Sequence, residues 1–425
     1  MSQFDELKKL RLEQERQYIN QDFVEGLAFS LLTSLVARAN LEIYGPRGGE
    51  LSLSLEYGPP NAGVAVSAAA PFKPRISFRR SLIWDIYADA LVFPLVCRRI
   101  AQDTDVLKQL HEDEHFRVCR TRFDDAVPVL GETDVCEIFR SACEALIRDI
   151  EASRQDEKPP LPHEVRCRFV LFELMLAWTF FHELGHAIQG HYLMHDQSTA
   201  VGAEWVHLEM EESPAEEAAA AAVETSVPSK TPDLASQARE LMADAEATSL
   251  TLNYLGLQGR MKISTGYLLT CAIGCLLQRF YLNYPESLEI SPDRHPHPVV
   301  RDESTQLLSN HWITDFLIVR KQCSTREEAV MLLAYLNVRA LIMTGIFRSH
   351  RIENLDESRE LPSYMQLLQD GKQGLIAYFQ ALMPHLEHQV PKAVANHLVE
   401  VNWLEYWFER VKHGFAVKGP LSQKP

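Results

Sequence analysis

The chain has no uninterrupted apolar run long enough to cross a bilayer. Its most apolar stretches are Phe169–Phe181, Tyr267–Leu277 and Ala329–Phe347; the first contains Glu173 and the third Arg339. None reaches the roughly 20 residues that a span requires. A secretory signal is also missing, because Met1–Gln17 is charged and has no apolar stretch. The expectation is a cytoplasmic protein without a membrane span. Cysteine is sparse: eight in 425 residues, with neither the short pairs of a zinc ribbon nor a secreted-type framework. Cys271 and Cys275, four apart in an apolar run, suit core filling, and all eight are expected to be reduced thiols. Basic charge is not in excess either. A formal net charge of −16 argues against nonspecific nucleic-acid binding and against docking on an anionic membrane. No internal repeat is visible.

What remains has the composition of a globular protein, 46% hydrophobic and 24% charged, long enough for about two to three domain-sized units. Residues 3–40 read as helix, with Phe23, Leu27, Leu31, Leu32 and Leu35 at helical spacing. Then come Leu41–Tyr44, Leu51–Tyr57, Val64–Ala69 and Arg75–Phe78, short runs with partial alternation between Gly and Pro clusters. They predict a small sheet. From Ser81 the texture is helical again. Residues 209–233 combine an acidic cluster, a five-alanine run and Pro, Ser and Thr. This composition predicts an exposed, mobile loop, either a tolerated insertion or a lid over a cleft. Trp403, Tyr406 and Trp407 are expected as core aromatics.

The informative motif is His182-Glu183-Leu184-Gly185-His186. Two imidazoles four residues apart lie on one face of a helix and can grip one Zn²⁺, and the glutamate between them can accept a proton from an activated water. The helix that carries it, Glu164–His191, is apolar on nearly every side, and Gly190 stands where it should stop. A buried helix supplies the dry walls and fixed ligands that a metal site needs.

Zinc wants a third protein ligand, with one position left open for catalysis. The metzincin arrangement would need Gly at 189 and His at 192, where this chain has Gln189 and Tyr192. His191 lies past the helix end; it reaches the metal only if the chain folds back, and otherwise neighbours the site or the surface. The better candidate is Glu240, in a helix that Asp233 can cap and that has Leu234, Ala238, Leu241 and Ala245 as an inner stripe. Glu240 and Asp244 share a face. One carboxylate can bind zinc and the other can accept the outer N–H of a ligating histidine. The plain alternative is a solvated acidic helix face. Further on, Ser291–Arg301 contains two His-Pro dipeptides, which suit a rigid loop presenting polar groups. His295 or Arg301 can serve there as a donor to an oxyanion; equally, the loop caps the next helix and Arg301 pairs with an acidic neighbour.

Together the three blocks resemble the gluzincin metallopeptidases: the HtpX type and, more closely, the phage-exclusion peptidase Lit. The blocks are Phe181–His191, Arg239–Ala247 with its Glu-x-x-x-Asp pair, and His295–Arg301, where an arginine follows the histidine by six residues. The resemblance covers about residues 75–301, including a strand-then-helix texture from Arg75 to Tyr87. It implies that His182, His186 and Glu240 bind zinc, that Glu183 is the general base and that Asp244 supports the site. The HtpX type is membrane-embedded, so the lack of spans points to the other branch.

The expected fold is therefore α+β and mostly helical: a zincin-like core with a small sheet beside a long motif-bearing helix, followed by a helical C-terminal region. Its expected parts are 1–74, a helix and small β region; 75–301, the metallopeptidase core; and 302–425, helical. The expected activity is zinc-dependent hydrolysis of a protein or peptide substrate. One alternative is a regulatory or phage-defence protein that cleaves only when an activating protein partner triggers it. Another is a helical interaction protein with a structural metal or none.

Overall fold

The computed structural model describes residues 3–15, 19–67, 69–100, 134–153, 161–194, 206–211, 232–281, 288–290, 294–351, 372–400 and 403–415. The N-terminal helical stretch forms two helices, α1 (Gln3–Gln14) and α2 (Gln21–Ala39). Asn20 caps α2 by accepting from the Phe23 backbone N–H. The run Leu41–Tyr44, expected as strand, instead prolongs α2 as one π-helical turn, Asn40–Tyr44. Its periodicity was too short to separate strand from helix. A tertiary link decides the matter: the Asn40 amide bonds both the N–H and the C=O of Leu51, holding the turn against the start of the first strand.

The sheet follows: β1 (Ser52–Glu56), β2 (Asn61–Ser67) and β3 (Ala70–Arg79), with a fourth strand, β4 (Val206–Glu211), arriving much later. The order is β1-β3-β2-β4. β1 runs parallel to β3, while β2 is antiparallel to both its neighbours. β4 corrects the reading of 209–233, because its residues Glu209–Glu211 belong to a strand. Backbone pairing with β2 needs no apolar pattern, so acidic composition did not reveal it. Residues 212–231 of that insertion lie outside the described residues.

Seven more helices are needed to follow the site: α3 (Arg80–Ile100), α4 (Glu137–Ser153), α5 (Pro162–Ile188), α6 (Leu234–Leu257), α7 (Ile263–Tyr281), α8 (Pro298–Val319) and α9 (Arg326–Arg351). The C-terminal pair is α10 (Lys372–Asn396) and α11 (Trp403–Phe415). The boundaries expected at 74/75 and 301/302 lie within β3 and α8.

Helix α5 is the axis. Pro162 opens it, where a missing N–H costs nothing. The Glu164 carboxylate then accepts the Leu161 N–H. Nearly every residue from Glu164 to Ile188 is buried, so the helix is apolar all round because neighbours surround it. Those neighbours are α6, α3, α7 and β2. Two ion pairs cross this core: Arg168 is forked on Glu15, and Arg260 binds Glu173. Of the cysteines, 136, 143, 167, 271, 275 and 323 are free and buried, as expected; the side chains of Cys97 and Cys119 lie outside the described set. Helix α6 is shared between two cores. Ala247, Leu252 and Leu255 join the α5 core, whereas Ala238, Leu241, Met242 and Ala245 pack with α8, α10 and α11. Trp407 is fully buried there, while Trp403 and Tyr406 are only partly covered. Among the described residues, and by length and composition alone, two helical segments, Gln21–Arg47 and Arg326–Gly345, are apolar enough to cross a membrane; within the protein 39% and 61% of those windows are buried.

Candidate metal centre

The motif occupies the last two turns of α5, where the four-residue spacing brings the two rings onto one face. His182 Nε2 and His186 Nε2 stand 3.2 Å apart. Helix α6 runs alongside and delivers Glu240. Its Oε2 lies 3.3 Å from His182 Nε2 and its Oε1 lies 3.3 Å from His186 Nε2. Gly185 lets α6 come this close: a Cβ there would meet Glu246 Cβ at 3.0 Å and Ala243 Cα at 3.4 Å. The Gln189 side chain then clamps the helix end, donating to Met242 O at 3.1 Å and to Glu246 Oε2 at 3.0 Å. Asp233 caps α6 through the Ser236 N–H, as its position predicted.

These three side chains offer ligand atoms all within 4.8 Å of one another. A tetrahedral zinc ion with bonds of about 2.0–2.1 Å sets its ligands about 3.3–3.4 Å apart. The two nitrogens at 3.2 Å, and each nitrogen 3.3 Å from one or other Glu240 oxygen, are close to that edge length. Two imidazole nitrogens and one carboxylate, with no fourth protein ligand in the group, are also the donor set of a catalytic zinc site. The arrangement matches a zinc-protease active site. The centre is zincin-like.

Charge supports the same fit. Burial pulls the His182 imidazole down, yet its hydrogen bonds to Asp244 and Glu240 outweigh burial and hold it up at about 9. Burial pushes Glu240 up, but the neighbouring His295 and His186 and the hydrogen bonds from His182 and His186 hold it well below the carboxylate range. The carboxylates are therefore held as anions, and in this structure the positive charge opposite them is the His182 proton. A divalent cation bound there would take the place of that proton and leave His182 a neutral ligand.

The surrounding groups orient these ligands. Asp244 Oδ1 lies 2.9 Å from His182 Nδ1, so this carboxylate fixes the tautomer that frees Nε2. Asp244 is in turn gripped by Arg301, whose Nε and Nη2 reach Oδ2 and Oδ1 at 2.8 and 2.7 Å. Arg301 is wholly buried, and beyond Asp244 its Nη2 lies 3.8 Å from Glu240 Oε2. Of the two roles expected for Arg301, the pairing with an acidic neighbour is present. His295 Nδ1 lies 3.2 Å from Glu240 Oε2. His297, two residues on, caps α8 by accepting from the Val299 N–H.

His191 is not a third ligand. After Gly190, which adopts φ +67, the chain turns back and sets His191 Nδ1 against His186 Nδ1 at 2.8 Å. Sequence reasoning passed over other contributors. Trp178 stacks on the His182 ring with centroids 5.5 Å apart, one helical turn earlier on the same face, a spacing that was readable. Tyr378 donates to Gln237 Oε1 and accepts from the His297 N–H, which no local pattern announces.

No protein-family model matches this chain, no curated protein is significantly similar to it, and no solved structure matches it. The assignment therefore rests on the geometry itself.

Proposed function

We propose that this protein is a zinc metallopeptidase that hydrolyses peptide bonds of a protein substrate in the cytoplasm. The observation that carries the proposal is that His182, His186 and Glu240 bring ligand atoms within 4.8 Å of one another at the end of the helix that also carries Glu183. When bound, zinc supplies Lewis acidity, making water nucleophilic near neutral pH and polarising a carbonyl. Glu183, one residue on from His182 and fully buried, takes the proton of the attacking water and passes it to the departing amine. His295, 8% exposed at the edge of the cluster, donates to the oxygen on which negative charge develops. Asp244 and Arg301 hold His182 in position throughout.

The finer resemblance, to Lit and more distantly to the HtpX type, is supported by the His295-to-Arg301 spacing and by the Glu240–Asp244 pair. A gated version of the same activity has an observation in its favour. His182, Glu183, His186 and Glu240 are 0, 0, 4 and 7% exposed, so a peptide must enter a nearly closed site. In this version an activating partner, such as a phage component, opens it.

The test is Glu183→Gln with its zinc content measured. The expected loss is about 10²-fold or more in cleavage rate, with zinc retained. New protein N-termini in cells expressing wild type but not the variant identify the substrate, with and without phage challenge. Cleavage by the variant at the wild-type rate removes Glu183 from the reaction, and wild type that neither retains nor takes up zinc refutes the proposal.

A further inference from the structure

The far side of the α5–α6 pair faces a second concavity. With about 100° of rotation per residue, Ile188 turns about 200° from His186, and Glu246 about 200° from Asp244. Both line a cavity of about 470 Å³, a volume in the range of small-molecule sites. Its wall is completed by Phe316 and Trp312 from α8 and by Trp403 at the start of α11. Trp312 is 46% exposed, a large aromatic surface left to water.

The polar lining has one character. Its charged members, Glu246 and Glu400, are both carboxylates, its neutral ones are Ser249 and Asn253, and among the described residues no lysine, arginine or histidine lines it. Glu246 is decisive, because its side chain is only 2% exposed. Its Oε2 accepts from Gln189 Nε2 and meets His397 Nε2, each at 3.0 Å, whereas among the described residues no hydrogen bond reaches Oε1. A carboxylate oxygen at the wall of an apolar cavity, open to solvent, is a place where a donor or a cation can bind. Indole faces nearby favour the cation.

We propose that this cavity binds a small amphiphilic amine, its ammonium on Glu246 Oε1 and its apolar body against Trp312, Trp403 and Phe316. The site uses none of the metal ligands, so it stands or falls independently of the peptidase reading.

Titration calorimetry on the full chain, stripped of metal so that an amine cannot coordinate one, tests this with octylamine, octanol and octanoate. These probes share a chain length and differ in charge. Octylamine is expected to bind about tenfold or more tighter than octanol, the worth of a charged hydrogen bond and a cation–π contact, and octanoate more weakly than either. Glu246→Gln is expected to erase the preference for amine over alcohol while octanol still binds. Trp312→Ala, at an exposed position where folding is not at stake, is expected to weaken all binding several-fold. Equal affinity for octylamine and octanol, no heat at millimolar octylamine, an amine preference that survives Glu246→Gln, or binding untouched by Trp312→Ala would each overturn the proposal.

Discussion

Changing Asp244 to asparagine keeps the shape of the side chain and removes its charge. Two consequences follow that can be measured separately. Arg301, wholly buried and forked on this carboxylate at 2.7 and 2.8 Å, loses that ion pair, while Glu240 stays 3.8 Å away. Breaking a buried pair by removing one partner costs about 3–5 kcal/mol, a large part of the roughly 5–15 kcal/mol that holds a folded protein together. His182 also loses the acceptor at 2.9 Å that sets its tautomer. Loss of such an outer partner typically weakens metal binding about 10–100-fold. The second substitution Arg301→Met separates the two effects, because it removes the buried cation and fills its volume with an apolar chain. An apolar replacement of a buried pair is often neutral in stability. The double variant is thus expected to recover the denaturation midpoint of the metal-free protein while zinc affinity, from competition with a chelating dye, stays depressed. Recovery of zinc affinity together with the midpoint would show that Asp244 acts only through folding. A single variant matching wild type in both assays would refute the proposed bridge.

The remaining predictions concern groups around and beyond the site. His191→Leu removes the acceptor opposite His186 Nδ1 and is expected to weaken zinc binding about 10–100-fold, whereas His191→Asn, whose amide oxygen can replace the ring nitrogen, restores most of it; equal losses in the two would count against a positioning role. Glu303, partly buried, is pushed up to about 7 by burial and by neighbouring Asp302. Its folded-state value lies above the unfolded 4.5, so the folded chain holds the extra proton and stability falls as pH rises between about 4.5 and 7. Glu303→Gln is expected to remove that slope and to stabilise the protein at pH 8, by at most about 3 kcal/mol and by less where water screens the group. Thermal midpoints of wild type and variant that run parallel from pH 5 to 8 would contradict this.

Features set by local spacing were legible in the sequence. The His182–His186 pair and the Glu240–Asp244 pair each sit four residues apart, and helix geometry alone puts each on one face. The cap at Asp233 and the stop at Gly190 were equally local. What failed required a partner from elsewhere. Arg301 was open to two roles because only the approach of α6 brings Asp244 to its fork. The turn at Asn40–Tyr44 read as strand because its link to Leu51 lies eleven residues away. β4 read as loop because its pairing with β2 engages the backbone, on which composition is silent. Gly185 carried a signal that was missed: between two ligands, a residue with no side chain marks where a second helix comes closest.

The C-terminal helices carried no motif, yet they explain why α6 can present a carboxylate so accurately. A ligand on one helix and its partners on another stay within tenths of an ångström only if the second helix is held on both flanks. Helix α5 holds one flank of α6 through Gly185 and Gln189. The other flank is held by α10 and α11. Leu382 and Leu386 pack in the same core as Leu241 and Met242, Tyr378 ties Gln237 to the His297 backbone, and the Trp407 indole donates to Ser304 O on α8. Beyond α10 the Leu398 N–H bonds Ile188 O, the last residue of the motif helix. These helices therefore act on the metal centre without touching it, by fixing the approach of α6 and of the His-Pro loop to α5. Their lack of catalytic residues is what such a buttress requires, since its work is apolar packing and a few backbone hydrogen bonds.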